Sequence, residues 1–227
     1  MKKILVVVAH PDDEVLGMGG SIARFAAEGK EVHLLIVTDG SSSQYKASEE
    51  LERIIEQKKK ETAKAAALLG IASVHYGNLP DMRLDVTPHV EINEVIERMI
   101  DQLAPDTVFT HFWGDVNKDH RCVFESVLVA VRPTRGQSVR ELYCFRVPSS
   151  TEWMPNKTDT AFMPNFYVNI GRYCEKKYEA MAAYQTEVRE YPHPRSVRHL
   201  AETDTVEGLK VGMDATESFV ALRLLID

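Results

Sequence analysis

The chain has 227 residues, 44% hydrophobic and 27% charged, an ordinary composition for a folded soluble protein large enough to bury a core. Its 27 Lys and Arg against 34 Asp and Glu give a net charge of −7, which argues against a protein that coats nucleic acid with a basic face. Cys122, Cys144 and Cys174 stand far apart without a CxxC pair, so the expectation is reduced thiols in a cytoplasm, with neither a disulfide framework nor a cysteine zinc site.

Residues 2–9 form a continuous β-branched apolar run, as expected of a central strand covered on both faces. The run meets His10-Pro11-Asp12-Asp13-Glu14, too early for an export signal, and no later run reaches the ~18 residues of a membrane span. Residues 14–28 carry Val15, Met18, Ile22, Phe25 and Ala26 at helical spacing, up to Gly29. A strand over 32–38, a polar loop from Asp39 to Ser43, a long helix over 48–69 and a short strand over 74–76 complete a second β–α–β unit. A helix over 88–103 and a strand over 107–111 follow. The later part reads as helix 120–131, strands 142–145 and 166–170, helix 171–184, a proline-containing loop over 191–195 and a strand over 219–225. This alternation predicts a single α/β domain over 1–227, with a Rossmann-like, doubly wound, mostly parallel sheet and helices on both faces. The loops after Ala9, Thr38, Tyr76 and His111 should then line one crevice beyond the carboxyl ends of the strands.

The first of these loops places an imidazole and three carboxylates at the mouth of a buried strand. Adjacent acids repel one another and an apolar strand end desolvates them, so a divalent cation is the economical explanation. Mixed His and carboxylate donors suit zinc, with iron or another divalent transition ion as the alternative. A further ligand is needed, and the run from Asp115 to His120, which follows the strand 107–111 and opens a helix, can face the same crevice. Each motif alone has a plainer reading, since Asp12, Asp13 or Asp119 could simply cap a helix. Together, each after a strand of one sheet, they favour a metal site. His111 is expected to be a packed imidazole at the end of its strand, and His33, His75, His89 and His199 are expected to be structural.

The run Ala9-His10-Pro11-Asp12-Asp13-Glu14-Val15-Leu16-Gly17-Met18-Gly19-Gly20 resembles the opening motif of the PIG-L/LmbE-like zinc-dependent N-deacetylases, and Asp119-His120-Arg121 resembles their second motif. Thr38-Asp39-Gly40, Lys60-Glu61, Pro80-Asp81 and His193-Pro194-Arg195-Ser196 extend the resemblance over nearly the whole chain. It implies that His10, Asp13 and His120 ligate zinc, and that Asp12, Asn117 and Asp119 serve catalysis, with Asp12 as the general base. The activity implied is removal of an acetyl group from an N-acetylglucosamine-type sugar by zinc-activated water. The partner implied is a small-molecule N-acetylated sugar or glycoconjugate, and such proteins are often homo-oligomers. Ser41 to Ser43, Asp81, Arg83 and Arg195 are expected to hold sugar hydroxyls or an anionic aglycone, with Lys60 where many members have Arg. The chain departs from the pattern at Asn117, where a histidine usually stands three residues before the metal histidine. An amide can still donate to an oxyanion, but it transfers no proton near neutral pH, so proton delivery would fall on Asp12.

Two other readings compete. A metal-dependent sugar-binding protein without catalysis would account for Asn117, but not for a carboxylate retained beside the ligands. A dinucleotide-binding oxidoreductase would use the glycines that follow the first strand, but these do not form GxGxxG, and three acids would face the pyrophosphate.

Overall fold

The computed structural model describes residues 1–41 and 48–226. Seven strands form one sheet: β1 (Lys3–Val8), β2 (Glu31–Thr38), β3 (Ser73–Leu79), β4 (Thr107–His111), β5 (Glu141–Phe145), β6 (Phe166–Asn169) and β7 (Thr216–Leu224). The strand order is β3-β2-β1-β4-β5-β7-β6, in which β7 runs antiparallel to both neighbours and the other pairs are parallel. Ile4 to Val8 are fully buried because β1 lies between β2 and β4 and is covered on both faces. Its alternate residues feed two cores. Ile4, Val6 and Val8 join the cluster that includes residues of α1 (Asp13–Ala27), α2 (Ser48–Leu69) and α5 (Cys174–Ala183). Leu5 and Val7 join the cluster with α3 (His89–Leu103) and α4 (Lys118–Ala130). The order reverses between β1 and β4, so the loops after these two strands diverge and leave a crevice at the carboxyl edge.

Three features differ from the expectation. The helix read over 14–28 is two half-helices that meet at Met18, whose φ of −156° is non-helical. Close approach to the sheet explains the glycines: a Cβ on Gly17 would lie 2.3 Å from the Phe145 ring. The second half is capped by Glu217, which accepts from Gly20 N–H at 3.0 Å and Ser21 N–H at 2.6 Å. The edge strand β3 runs on to Leu79 and β7 begins at Thr216, both through polar residues that an apolar pattern passes over. Helix α6 (Val197–Leu209) follows the loop that holds Arg195, and Ser196 caps it by accepting from His199 N–H.

Candidate active site

The first β1 loop, the Gly40 loop after β2, the Asp81–Met82 loop after β3 and the α4 entrance after β4 converge on one cleft. At its base, His10 Nδ1 lies 3.2 Å from His120 Nε2, and Asp13 Oδ2 is 3.4 Å from each. Tetrahedral coordination at the usual zinc–nitrogen and zinc–oxygen bond lengths sets donor atoms about 3.3 Å apart. Two imidazoles and a carboxylate thus form a triangle of the size and donor type that a zinc-class cation takes, open towards the cleft.

Each imidazole is aimed by its other nitrogen. His10 Nε2 is 3.2 Å from Asp119 Oδ2 and 3.3 Å from Asp81 Oδ1, and His120 Nδ1 is 3.1 Å from Asp115 Oδ2. A proton held on that side leaves the facing nitrogen's lone pair free for an ion. Asp119 is itself pinned, accepting from Met82 N–H at 2.7 Å and Leu84 N–H at 3.1 Å. His10 Nε2, Asp81 and Asp119 make a second triangle of possible donors. These hydrogen bonds already engage the Asp119 oxygens, so it orients His10 while the first triangle faces the opening.

The charges reinforce one another. Burial lowers the proton affinity of His120, but Asp13 and Asp115 outweigh it and push its pKa up to about 9. Burial would raise Asp13, yet the charge of His120 and the hydrogen bond from His10 hold it well below the usual carboxylate range. A dication in place of those protons would satisfy the same carboxylates. His111 is fully buried beneath His120, with ring centroids 3.9 Å apart, and its Nε2 accepts from Ala9 N–H at 2.8 Å. Burial and the charge of His120 keep it neutral, the packed imidazole expected from its place at a strand end.

Asp12 has a φ of 99°, a left-handed conformation that costs a non-glycine residue about 1–3 kcal/mol. In that conformation its carboxylate reaches the cleft wall, 3.5 Å from an Arg195 guanidinium nitrogen. Burial raises its pKa well above the carboxylate range, the charges of Glu187 and Asp13 add to this, and Arg195 partly offsets it. Glu14 turns away from the triangle: Tyr184 Oη donates to it at 2.6 Å, and burial pushes its pKa up to about 7. Asn117 caps α4, its Oδ1 accepting from Asp119 N–H at 2.9 Å, and it lines the cleft. Its amide nitrogen lies 3.7 Å from Met82 Sδ.

Of the expected substrate residues, Asp81 and Arg195 line the cleft. Ser41 is buried behind Gly40, and Arg83 is exposed beside Met82, which takes the place in the cleft. Ser42 and Ser43 lie outside the described residues. Lys60 points to solvent, 69% exposed and 3.8 Å from Glu56. The cation that reaches the cleft from α2 is Lys58, whose ammonium donates to Gly40 O and lies 2.7 Å from Glu187 Oε1. The buried stripe of α2 runs Lys58, Glu61, Thr62, Ala65 and Leu69, so the helical period itself separates Lys58 from Lys60. Glu187 carried no sequence signal. It joins Lys58 to Arg195, whose Nη1 is 2.6 Å from Glu187 Oε2.

A family model described as PIG-L, GlcNAc-PI de-N-acetylase, matches residues 5–131, more than half of the chain, and the chain belongs to this family. The match ends within the loop after α4, so it spans both motifs of the triangle. The chain is 28% identical over 177 residues to the uncharacterized deacetylase YaiS of Escherichia coli, covering 74% of this chain and 82% of that protein. It is 28% identical over 202 residues to the diacetylchitobiose deacetylase of Thermococcus kodakarensis, covering 84% and 72%. Among solved structures, the conserved protein TT1542 of Thermus thermophilus superposes with a TM-score of 0.78 at 26% identity, covering 100% and 97% of the two chains.

Proposed function

We propose that this protein is a metal-dependent deacetylase that removes the acetyl group from an N-acetylglucosamine-type sugar, with zinc or another divalent transition ion held by His10, Asp13 and His120. The observation that carries the reading is the triangle of donor atoms 3.2–3.4 Å apart with the strained Asp12 beside it. Membership of the PIG-L family and the deacetylase relatives support it.

A cation bound there supplies Lewis acidity, which polarises an acyl oxygen and acidifies water. The remaining work falls to the chain. Asp12 accepts the proton of the attacking water and returns it to the amine as acetate leaves. A carboxylate next to a dication is ordinarily a weak base; burial and the Glu187 charge raise the proton affinity of Asp12 well above that of an ordinary carboxylate. The Asn117 amide donates to the acyl oxygen as negative charge develops there. Asp119 and Asp115 keep the two imidazoles in register, and Arg195 holds the Asp12 carboxylate at the wall. Asp81, Lys58 and Arg195 would contact hydroxyls of the sugar, a role supported by their position in the cleft lining.

Among the described residues no helix is long and apolar enough to cross a membrane. Acetate release should be followed on free, lipid-linked and nucleotide-linked N-acetylated sugars, with chelator-stripped protein and with the same protein after zinc is restored. Zinc-dependent release from at least one class is expected. No release from any class with a full equivalent of metal bound would contradict the assignment and favour a sugar-binding role.

A further inference from the structure

Beyond α5 the chain makes a turn in which Glu187 N–H and Val188 N–H both donate to Tyr184 O, at 3.0 and 2.9 Å. That turn grips Asp12 at two points. Tyr184 Oη donates to Glu14 Oε1 at 2.6 Å, and Glu14 Oε2 accepts from Asp12 N–H at 3.2 Å, which steadies the left-handed backbone. Glu187 Oε2 holds Arg195 Nη1 at 2.6 Å, and the same nitrogen lies 3.5 Å from Asp12 Oδ2. Among the described residues that oxygen is buried without a hydrogen bond, so the Arg195 guanidinium is the group that fixes where it points. A strained conformation persists only where its surroundings enforce it, and one short turn supplies both constraints.

The turn is in turn fixed to α2 by two residues on one face of the helix, Lys58 and Glu61. Lys58 Nζ lies 2.7 Å from Glu187 Oε1, and Glu61 Oε2 accepts from Thr186 Oγ1 at 2.6 Å and from Thr186 N–H at 3.4 Å. The other Glu61 oxygen accepts from Gln57 Nε2 at 3.0 Å. Glu61 is only 4% exposed, and burying a carboxylate is costly unless donors reach it. A length of 2.6 Å is that of a charge-assisted O–H···O⁻ bond, about twice as strong as a neutral one. The two anchors differ in what they hold. Lys58 takes the end of a flexible side chain, which can follow it, whereas Glu61 takes the hydroxyl and the backbone N–H of Thr186 together and so fixes the main chain of the turn.

Neither Glu61 nor Thr186 lines the cleft, and their hydrogen bond reaches it only through the turn. We propose that Glu61 and Thr186 are positioning residues of the deacetylase: their bond sets the turn from Tyr184 to Glu187, which aims Asp12 through Glu14 at its backbone and through Arg195 at its carboxylate. The inference rests on the reading of Asp12 as the group that accepts the proton of the attacking water. A proton acceptor out of place slows the chemical step, so the loss belongs in kcat. It should be about tenfold, below the ~10²-fold that a 1 Å misplacement can cost, because Lys58 still holds Glu187.

Thr186→Val keeps the shape of the side chain and removes the hydroxyl donor, and Thr186→Ser keeps the donor. Acetate release from N-acetylglucosamine and N,N′-diacetylchitobiose should be measured on the zinc-loaded proteins, per mole of bound metal and well below each Tm. Thr186→Val and Glu61→Gln should lose about tenfold in kcat, more than any rise in KM, and Thr186→Ser should retain most of the wild-type kcat. A kcat within twofold of wild type in Thr186→Val, or an equal loss in Thr186→Ser, would overturn the proposal. Phenylglyoxal, which attacks guanidinium groups, gives a readout independent of turnover, followed by mass analysis of the labelled peptides. In Thr186→Val, Arg195 should label severalfold faster, while Arg223, whose guanidinium donates to Val131 O, labels at the wild-type rate. Equal acceleration at both arginines would mark a general loosening and overturn the positioning role. If the wild type releases acetate from neither sugar, the deacetylase reading fails on its own account, and the labelling then decides: faster reaction at Arg195 alone supports the placement of the Asp12 wall by this bond, and an unchanged rate overturns it.

Discussion

His120 Nδ1 lies 3.1 Å from Asp115 Oδ2, an oxygen that also accepts from the hydroxyls of Ser150 and Thr151. The carboxylate therefore fixes which nitrogen of His120 faces the cleft. Asp115→Ala should weaken metal binding about 10–100-fold, measured by competition with a chromogenic chelator. Unaltered affinity would mean that ring stacking on His111 alone orients His120.

Asn117 carries two duties that can be separated. Its Oδ1 caps α4, and its amide nitrogen is the proposed donor to the acyl oxygen. Asn117→Ser keeps a good cap but loses that donor, whereas Asn117→Ala loses both. Each should lower kcat about 10²-fold with metal content unchanged, and only the alanine variant should also lose about 1 kcal/mol of stability. A serine variant at the wild-type rate would leave Asn117 as a cap alone.

Lys58 and Lys60 should behave oppositely. Lys58→Met removes the partner of Glu187 in the cleft wall and should lower kcat/KM by roughly tenfold or more, since it leaves a partly buried carboxylate without one of its cations. Lys60→Ala removes an exposed side chain and should change stability by under about 0.5 kcal/mol, with turnover unaffected. A larger effect at Lys60 than at Lys58 would reverse the assignment of the α2 cation.

Glu14 provides a pH test on metal-free protein. Burial is the main cause of its rise from 4.5 to about 7, opposed by the Tyr184 hydrogen bond. A carboxyl raised on folding contributes stability that is complete below 4.5 and is lost as pH rises through 7, a swing of about 3 kcal/mol. Glu14→Gln does not titrate, so its Tm relative to wild type should climb between pH 5 and pH 8. Parallel Tm profiles for the two proteins would show that Glu14 is charged throughout.

The parts legible in the sequence were those where apolar periodicity and burial coincide. Residues 48–69 and 107–111 stand as read, and β1 and the two motifs after β1 and β4 announced the crevice by placing acids at the ends of apolar strands. Helix α6 went unread because its buried face is polar: Asp204 and Glu207 point inward to Lys177 and Arg146, at 2.8 and 3.1 Å. The same inversion hid the start of β7, where Thr216, Glu217 and Ser218 are all buried. Glu187 lies in a segment with no period to follow, and only the folded chain brings it to the cleft.

The most direct test of the account separates holding a metal from turning over substrate at adjacent residues. Metal content and acetate release should be measured side by side for wild type, Asp12→Asn and Asp13→Ala. The account predicts about one equivalent of zinc-class metal in wild type and in Asp12→Asn, a fall in turnover of several orders of magnitude in Asp12→Asn, and lost metal in Asp13→Ala. An Asp12→Asn enzyme within tenfold of wild type, or an Asp13→Ala protein that keeps its full metal, would contradict it.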